Sequence, residues 1–545
     1  MERLFPDSEK ISTGLELILN TEEPIPKRYT VIVRYNGDIR FLEQDYDMDI
    51  ILLLNQFAIV RATREELYQL ATFPQILYID ITRQLSYEQA VSQIDRAISC
   101  FPVRTGLTNT LSGAGICVAV IDSGLDLLHP AFRRPDGRSR ILSYWDQNQA
   151  GNPPHAYGFG TEYDDVDIQA IQDTGSSPYL YDRSGHGTAV ASIVSALADQ
   201  AMLIGVATRA DTAAFLCAID YAVRFSLRQN LPLVINLSYG NNYGDHLGNS
   251  QIENYLDLLQ ATGKITVVAG MGNEGSTGRH IQLSGNNEMT ARIYVSIGLQ
   301  AFNLQLWSEF GASYTFYFIA PNGQKSVVFS IQDITRTHIF TLYQTTISLQ
   351  IGMPSPYNIR QEVFISFSGS PISAGSWQLA IIPQRQTYVS VNAWLPVATS
   401  TSADVFFETS TEDMTLTIPA SAQRVISVGA YDSRLQTVAP FSGRGIVSNQ
   451  LQKPDLIAPG VDIRTAASGG GYGLSTGTSF ATPFVSAAAA LLMQWGIIDG
   501  NDPFLYGERV KAYLHAGAVL LPGLPISPNA ESGFGALCAN NSLPV

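Results

Sequence analysis

The sequence predicts a doubly wound, mostly parallel α/β domain that is interrupted by an all-β insertion and preceded by a small α+β module. Three observations support this prediction. Strand and helix patterns alternate over residues 116–269, helical periodicity disappears between about 283 and 417, and the α/β pattern then resumes. We therefore expect four segments, at residues 1–95, 96–282, 283–417 and 418–545.

The first segment contains a compact run of short elements. Strand patterns at 29–35, 57–62 and 76–81 accompany a helix pattern at 64–72, and Thr63 is a candidate cap for this helix. Residues 82–95 follow with few apolar anchors. They are predicted to form an accessible linker.

The α/β segments begin with the run Ile-Cys-Val-Ala-Val-Ile at 116–121. An uninterrupted apolar strand is typical of a parallel sheet that is covered on both faces. Further strands are predicted at 202–207, 233–237, 264–269 and 424–430, and helices at 186–197, 213–225, 251–261 and after Ser479. In such a sheet, functional residues are expected at the carboxyl ends of the strands.

The insertion alternates polar and apolar residues and is rich in β-branched and aromatic side chains, which predicts a sandwich or jelly roll. Five of its aromatic residues suggest carbohydrate binding as an alternative function, although such residues are more often part of a core. They are Trp307, Tyr314, Phe316, Trp377 and Trp394.

The net charge and the spacing of the cysteines argue against several classes of partner and site. A net charge of −15 argues against nucleic acid or an anionic membrane as partner. The four cysteines form no Cys-X-X-Cys pair, which favours buried free thiols over a metal site or a disulfide framework. The charged N-terminus lacks a signal-peptide pattern, and the longest apolar region, 484–498, is shorter than the roughly 20 residues that span a bilayer.

Three residues far apart in the sequence suggest nucleophilic catalysis. Ser479, in Gly-Thr-Ser-Phe-Ala-Thr-Pro, is predicted to open a buried helix; His186, in Ser-Gly-His-Gly-Thr, opens another; and Asp122 ends the first apolar strand. Taken singly, Ser479 is explained equally well as a helix cap, His186 as a structural histidine and Asp122 as a turn former. Their order, Asp, His, Ser, is one of the known orders of a catalytic triad. Asn273, in Gly-Met-Gly-Asn-Glu-Gly, could donate to an oxyanion, although an Asn between glycines is usually a turn residue.

These blocks resemble those of the subtilisin-like serine proteases, the subtilases. The matching segments are VAVIDSG, SGHGTAVAS, INLSYG, GNEG and GTSFATP. More narrowly, SYGNNYGDHLGNSQIE, VISVGAYDSR, FSGRG, KPDLIAPG and GNDPFLYGERVKAYL resemble the clostridial Csp-type subtilases, a group that includes spore-germination proteases. This resemblance implies a subtilisin-like α/β fold, an inserted jelly roll and a ferredoxin-like propeptide.

The resemblance also implies roles for the site residues. Ser479 would be the nucleophile, His186 the general base and acid, Asp122 the partner of the histidine, and Asn273 an oxyanion donor. The strand residues Leu237, Ser238, Tyr239 and Gly240 would pair with the substrate backbone. Glu274 would lie at the rim of the S1 pocket, where it could favour a basic P1 residue.

The family resemblance makes the first module an intramolecular inhibitor, which implies autoprocessing between Gln84 and Asp95. A permanently attached module is the alternative. The connection between strand 202–207 and the following helix, about Thr208 to Thr212, is shorter than in many subtilases. The upper part of the substrate cleft could therefore be open, or substrate selection could fall to the insertion.

The remaining expectations concern cofactors, partners and class of function. No cofactor is required for the chemistry. A structural calcium ion is the alternative left open, with Asp164, Asp165 and Asp167 as candidate ligands, although these residues form no clear calcium motif. The predicted partners are a protein or peptide substrate and the propeptide, without nucleic acid or membrane. A cytoplasmic or spore-associated serine endopeptidase is the leading hypothesis, and a non-catalytic scaffold or sensor with the same fold is the alternative.

Overall fold

The computed structural model describes residues 10–21, 27–46, 48–85, 98–105, 110–175, 182–334, 337–398, 404–448 and 451–543. The chain divides into two compact units. The first unit draws on residues 1–83, 242–251 and 276–415, and the second on 84–241, 252–275 and 416–545.

The N-terminal module has a four-stranded antiparallel sheet in the order β2-β3-β1-β4, which is the ferredoxin-like arrangement. Its elements are α1 (Thr13–Thr21), β1 (Tyr29–Tyr35), α2 (Phe41–Tyr46), β2 (Asp49–Leu52), β3 (Phe57–Ala62), α3 (Arg64–Thr72) and β4 (Ile76–Ile81). Thr63 caps α3 in a capping box with Glu66, as its position predicts. The sequence patterns missed α1, α2 and β2, because elements of four to nine residues carry too few periodic positions.

The first part of the α/β domain follows the predicted alternation from residue 186 onward, whereas the sequence patterns missed the three elements between residues 141 and 174. Its elements are β5 (Cys117–Asp122), β6 (Ile141–Asp146), β7 (Thr161–Asp164), α4 (Asp165–Thr174), α5 (His186–Leu197), β8 (Met202–Ala207), α6 (Thr212–Gln229), β9 (Leu233–Leu237), α7 (Gln251–Leu259) and β10 (Ile265–Gly270).

The insertion is a sandwich of two antiparallel sheets whose inner faces share one hydrophobic core. The sheet orders are β11-β20-β13-β18-β17-β16 and β15-β14-β19-β12-β21. The strands are β11 (His280–Gly285), β12 (Met289–Val295), β13 (Ala301–Glu309), β14 (Tyr314–Ile319), β15 (Phe329–Ser330), β16 (Thr337–Leu342), β17 (Thr345–Ile351), β18 (Arg360–Ser368), β19 (Gly375–Pro383), β20 (Val389–Trp394) and β21 (Val405–Phe407).

The aromatic residues that suggested carbohydrate binding are buried in the sandwich. Their exposed fractions lie between 0% and 9%. They therefore provide core volume and no exposed stacking platform.

The last part of the chain returns to the α/β domain. Its elements are β22 (Ile426–Asp432), β23 (Thr437–Val438), β24 (Ile446–Val447), β25 (Gln452–Lys453), β26 (Leu456–Pro459), β27 (Ile463–Ala466), β28 (Tyr472–Ser475), α8 (Thr478–Met493) and α9 (Glu508–Gly517). The main sheet has the order β23-β22-β10-β9-β5-β8-β6-β7, with β26 also paired to β22. Pairing is parallel from β22 to β6. Because β6 and β8 lie on one side of β5 and β9 and β10 on the other, the carboxyl end of β5 marks a topological switch point.

The helix that begins at Thr478 is long and apolar enough to cross a membrane. It extends to Ile498, and 83% of its most apolar window is buried inside the protein. Buried core helices have this composition, and α8 lies in the main hydrophobic core of the α/β domain.

The cysteines differ in part from expectation. Cys117 and Cys217 are buried free thiols, and burial raises the pKa of Cys117 to about 12. Cys100 and Cys538 instead form a disulfide, so the expectation of free thiols was wrong for this pair. The two residues are 438 positions apart, and sequence spacing carries no information about a contact that the fold creates.

Within the first unit, the N-terminal module packs against the sandwich through α1. Gln350 Nε2 on β17 donates to Glu16 Oε2 at 3.1 Å, and Asn20 Nδ2 donates to Thr337 Oγ1 at 2.9 Å. Helix α1 also contacts β16 and β18. The module and the insertion therefore form a continuous interface within this unit.

Charged groups collect at the same interface around Arg83. The Arg83 guanidinium lies 4.7 Å from the ring centres of both Tyr243 and Phe364. Burial raises the pKa of Glu362 on β18 to about 7; the carboxylates of Asp80 and Asp245 add to the rise, whereas Arg83 and the Thr13 hydroxyl oppose it. Burial also raises the pKa values of Asp80 and Asp245.

This carboxyl cluster predicts that packing of the module on the sandwich weakens as pH rises. Glu362 titrates at about 7 when packed and near 4.5 when exposed, so its protonated form stabilises the contact fully below about pH 4.5. That contribution is lost as pH rises through 7. The rise in the Glu362 pKa corresponds to at most about 300-fold in the packing equilibrium, and residual solvent access at Glu362 reduces this factor.

The measurement is hydrogen exchange of α1 between pH 5 and 8, corrected for intrinsic rates, in a Ser479→Ala chain. Protection should fall with pH in that parent and much less in an added Glu362→Gln variant. Equal pH dependence in both proteins would contradict the assignment to Glu362.

Candidate active site

Asp122 and His186 form a buried pair at the switch point of the main sheet. Asp122 is the last residue of β5, and His186 is the first residue of α5. His186 Nδ1 lies 2.7 Å from Asp122 Oδ1, and the two side chains are 0% and 1% exposed. Because an ionised carboxylate only accepts, Nδ1 carries the proton and Nε2 presents its lone pair.

A second aspartate, which sequence reasoning missed, joins the segments that carry this pair. Asp182 Oδ1 accepts from Ser123 Oγ at 2.8 Å, and Asp182 Oδ2 accepts from Thr188 N at 3.0 Å. Ser123 Oγ in turn accepts from Gly187 N at 2.9 Å. These bonds link the end of β5 to the first turn of α5. Their sequence signal, polar residues beside Asp122 and His186, is too common to be recognised.

Gly187 allows α5 to approach β5 closely. A side chain at this position would overlap the Gly124 carbonyl oxygen and would place its Cβ 2.9 Å from the Cβ of Asp122. The glycine after His186 therefore has a packing role. The contact between Asp122 and His186 depends on it.

Ser479 lies in the first turn of α8, whose N-cap is Gly477 at φ 142°. The residue is 1% exposed, and its hydroxyl donates to the Ser238 carbonyl oxygen at 3.2 Å. The neighbouring Phe480 ring lies 5.3 Å from the His186 ring, centre to centre. Helices α5 and α8 pack against each other, so the histidine and the serine share one end of the α/β domain.

Pro483 lies in the interior of α8. Helix α8 begins at Thr478, so Pro483 is its sixth residue. The missing N–H would otherwise donate to the Ser479 carbonyl oxygen. Ser238 Oγ donates to that oxygen instead, at 3.0 Å. The proline therefore creates an acceptor that joins the serine helix to the segment after β9.

Asn273 follows β10, and Gly272 precedes it at φ 84°. Its Oδ1 accepts from the Thr478 backbone N at 3.1 Å. Since the side-chain oxygen faces this N–H, the amide nitrogen is the group that can donate to an oxyanion. Asn273 is thus held directly against the helix turn that contains Ser479.

The predicted substrate-binding residues lie at the end of β9 and after β10. Leu237 is the last residue of β9, and Ser238, Tyr239 and Gly240 follow it. The side chains of Leu237 and Tyr239 point into the protein, with 0% and 2% exposure, so the backbone is what these residues could offer a substrate. Glu274 is also buried, with 4% exposure.

The short connection after β8 is paired with the start of the linker. It spans residues 208–211, and Asp211 caps α6. Gln84 forms an antiparallel bridge with Asp211, and Leu85 N donates to the Ala210 carbonyl oxygen at 2.7 Å. The connection therefore presents a backbone edge that accepts an extended segment. The predicted cleavage region beyond Leu85, residues 86–95, lies outside the described residues.

A cavity of about 420 Å³ opens beside His186. It is lined by the turn before α5, by the β27–β28 hairpin and by Phe480. Residues 237–240 are not part of its lining.

Two of the acidic residues that are candidates for calcium form a helix cap. Asp164 caps α4 and forms a capping box with Asp167. Within the described ranges, no cluster of three or more His, Cys, Asp or Glu residues is arranged to hold a metal ion.

The chain is similar to known proteins in two sequence matches and one structural match. Residues 113–316 and 395–530 match the subtilase family, and residues 8–82 match the Csp protease B prodomain. The Clostridium perfringens CspB protease structure has a TM-score of 0.73 at 29% identity, covering 79% of this chain and 93% of that one.

Two curated relatives match over shorter stretches. Serine protease AprX of Bacillus subtilis is 33% identical over 153 residues, which are 24% of this chain and 33% of AprX. The thermostable alkaline protease of Halalkalibacterium halodurans is 24% identical over 265 residues, which are 46% of this chain and 62% of that protein. The chain thus matches less than two thirds of the length of either relative. The match to the subtilase family, by contrast, covers more than half of the chain. The chain therefore belongs to the subtilase family and carries an N-terminal module of the Csp protease B prodomain type.

Proposed function

We propose that this chain is a serine endopeptidase that hydrolyses peptide bonds through Asp122, His186 and Ser479. The observation that carries the proposal is the buried 2.7 Å contact between Asp122 and His186, beside the helix turn that contains Ser479. A protonated Nδ1 held by a carboxylate leaves Nε2 as the base for a serine hydroxyl. Membership in the subtilase family supports the same chemistry.

The reaction begins when the Ser479 hydroxyl turns from the Ser238 carbonyl oxygen toward His186 Nε2. Nε2 accepts the hydroxyl proton as Oγ attacks the scissile carbonyl carbon, and the carbonyl oxygen becomes an oxyanion. The Asn273 amide and the Ser479 backbone N–H, at the positive end of the α8 dipole, stabilise that charge. His186 then returns the proton to the departing amine, and water hydrolyses the acyl-enzyme by the same steps.

The substrate backbone is proposed to bind between two edges. One is the segment Ser238–Gly240, and the other is the connection containing Ala210, which already pairs with Leu85. The cavity beside His186 would receive the part of the substrate that follows the scissile bond. Glu274 is proposed to border the pocket for the residue that precedes it.

The N-terminal module is proposed to be an inhibitory propeptide that is removed by self-cleavage within residues 84–95. The pairing of Gln84 and Leu85 with Asp211 and Ala210 supports this, because Thr208 of the same connection donates its N–H to the Asp122 carbonyl oxygen. The start of the linker therefore pairs with the same connection that contacts Asp122. A further proposal, from the resemblance to Csp-type proteases, is a cytoplasmic or spore-associated role in which the substrate is the prosegment of another enzyme.

A fluorophosphonate probe tests the activity directly. We expect it to label Ser479 in the wild-type chain, and Ser479→Ala to show no labelling. Intact mass should show a shortened wild-type chain and an uncut variant. Equal labelling of both proteins, or of neither, would contradict the proposal and favour the non-catalytic scaffold.

A further inference from the structure

Ser238 and Ser479 are joined by two hydrogen bonds that run in opposite directions. The Ser479 hydroxyl donates to the Ser238 carbonyl oxygen at 3.2 Å, and the Ser238 hydroxyl donates to the Ser479 carbonyl oxygen at 3.0 Å. Both residues are buried, Ser238 with 2% exposure and Ser479 with 1%. The first bond must break when the Ser479 hydroxyl turns to His186. The second bond can persist throughout the reaction, because it involves only the backbone of Ser479.

The Ser479 carbonyl oxygen depends on this second bond, because its helical donor is missing. In a regular helix the N–H of residue 483 would donate to that oxygen, but Pro483 has no N–H. A buried carbonyl oxygen without a donor is unfavourable. The Ser238 hydroxyl therefore replaces the backbone bond that would connect Ser479 to the next turn of α8.

Two further buried side chains fix the direction of the Ser238 hydroxyl. Asn236 Nδ2 donates to Ser238 Oγ at 3.1 Å, and Ser486 Oγ donates to Asn236 Oδ1 at 2.8 Å. Asn236 and Ser486 are both 0% exposed. Because Ser486 engages the amide oxygen of Asn236, the amide N–H faces Ser238. Ser238 Oγ thus accepts from Asn236, and its own proton is directed at the Ser479 carbonyl oxygen.

Resting on the proposed function, we propose that Ser238 is a positioning residue for the nucleophile. Its hydroxyl holds the Ser479 backbone, including the N–H proposed to stabilise the oxyanion, while the Ser479 hydroxyl moves to His186. In this role the Ser238 side chain acts only through the Ser479 carbonyl oxygen. The role depends on Pro483, since an N–H at position 483 would hold the same oxygen without help from Ser238.

The test is a double-mutant cycle between positions 238 and 483. Ser238→Ala leaves the Ser479 carbonyl oxygen without this donor, and we expect kcat to fall about tenfold with KM within about twofold. Pro483→Ala supplies the missing N–H and should keep kcat within about threefold of the wild type. In the Pro483→Ala background, the further change Ser238→Ala should lower kcat by no more than about twofold.

Two measurements report the effect. One is kcat and KM on a peptide that the wild type cleaves. The other is the rate of fluorophosphonate labelling, which reports the reactivity of Ser479 without a peptide and should slow in Ser238→Ala about as much as kcat does. Ser226→Ala is the matched control, because Ser226 is also 2% exposed and donates to a helix carbonyl oxygen, that of Val223, at 3.0 Å. This control should keep both rates within about twofold of the wild type.

Three results would overturn the positioning role and leave the protease in place. One is a loss of kcat in Ser238→Ala that is equally large in both backgrounds. Another is a lowered melting temperature of Ser238→Ala with unchanged kcat, and the third is a rise in KM alone. Absence of labelling in the wild-type chain would instead refute the proposed function itself.

Ser486→Ala provides a second route if Ser238→Ala does not fold. It leaves the Asn236 amide free to turn, so the Ser238 hydroxyl loses its fixed direction. We expect kcat to fall about threefold in the wild-type background and to change by less than about 1.5-fold in Pro483→Ala. An equal loss in both backgrounds, or no loss in either, would contradict the role of Ser238.

Discussion

Replacing Asp122 by Asn is expected to lower kcat about 10⁴-fold with little change in KM. The Asp122 carboxylate accepts from His186 Nδ1 at 2.7 Å, and both side chains are shielded from water. An amide at this position can donate its N–H to Nδ1, which places the imidazole proton on Nε2. A histidine in that tautomer cannot accept the proton of Ser479. The carboxylate would also no longer stabilise the imidazolium that forms during attack.

The measurement is kcat and KM on a peptide that the wild type cleaves, together with the melting temperature. Asp126→Asn is the matched control, since Asp126 is also buried and lies four residues further along the chain. Its carboxylate accepts from the backbone N of Leu128 and of Gly469 and does not contact His186. We expect this control to keep kcat within a few-fold of the wild type. A loss of less than tenfold in Asp122→Asn would show that this pair does not drive the reaction.

The second large effect concerns stability. Asp455→Asn is expected to reduce the free energy of unfolding by about 3–5 kcal/mol, because it leaves buried positive charge without its partner. Asp455 Oδ2 lies 3.0 Å from Lys453 Nζ, and Oδ1 lies 3.1 Å from Lys511 Nζ and 2.9 Å from His515 Nε2. The side chains of Lys453 and Asp455 are each 1% exposed.

The pKa values of Asp455 and Lys453 show that the charge of each group is stabilised by its neighbours in the cluster. Burial by itself would raise the pKa of Asp455, but Lys453 and Lys511 outweigh it and hold that pKa well below its ordinary value. Burial lowers the pKa of Lys453 to about 8 even with Asp455 beside it. Without the carboxylate, Lys453 would have to release its proton or remain charged in the core, and both alternatives cost stability.

Urea unfolding of Asp455→Asn and of Lys453→Met, both in a Ser479→Ala background, measures this effect. The lysine variant should lose less, because Asp455 keeps Lys511 and His515 as partners. A loss below about 1 kcal/mol in Asp455→Asn would show that the cluster is solvated in solution.

Local patterns in the sequence predicted most of the architecture. The apolar run that ends at Asp122 forms the central strand β5, and the helices beginning at His186 and Thr478 lie where periodicity places them. These predictions succeed because burial of a strand or helix face imposes a period on neighbouring residues. The order of Asp122, His186 and Ser479, and their motifs, then suggested a shared site.

The partners of the polar groups were not predictable in the same way. Ser238 donates to the carbonyl oxygen that Pro483 leaves without its helical N–H, and Asp182 joins the segments of Asp122 and His186. Each contact involves a residue type that is common in turns and helix ends. The sequence alone offers no reason to choose one serine or aspartate over another.

Sequence by itself therefore determined the α/β class, the β insertion, the N-terminal module and the three residues of the proposed triad. Tertiary structure alone decided that Cys100 forms a disulfide with Cys538 and that Asp455 forms ion pairs with two buried lysines. The physical reason is how far apart in the sequence the interacting residues lie. Hydrophobic periodicity is a pattern among neighbouring residues and is therefore visible in the sequence. A buried polar or charged group, by contrast, is stabilised by whichever distant segment the fold brings within about 3 Å.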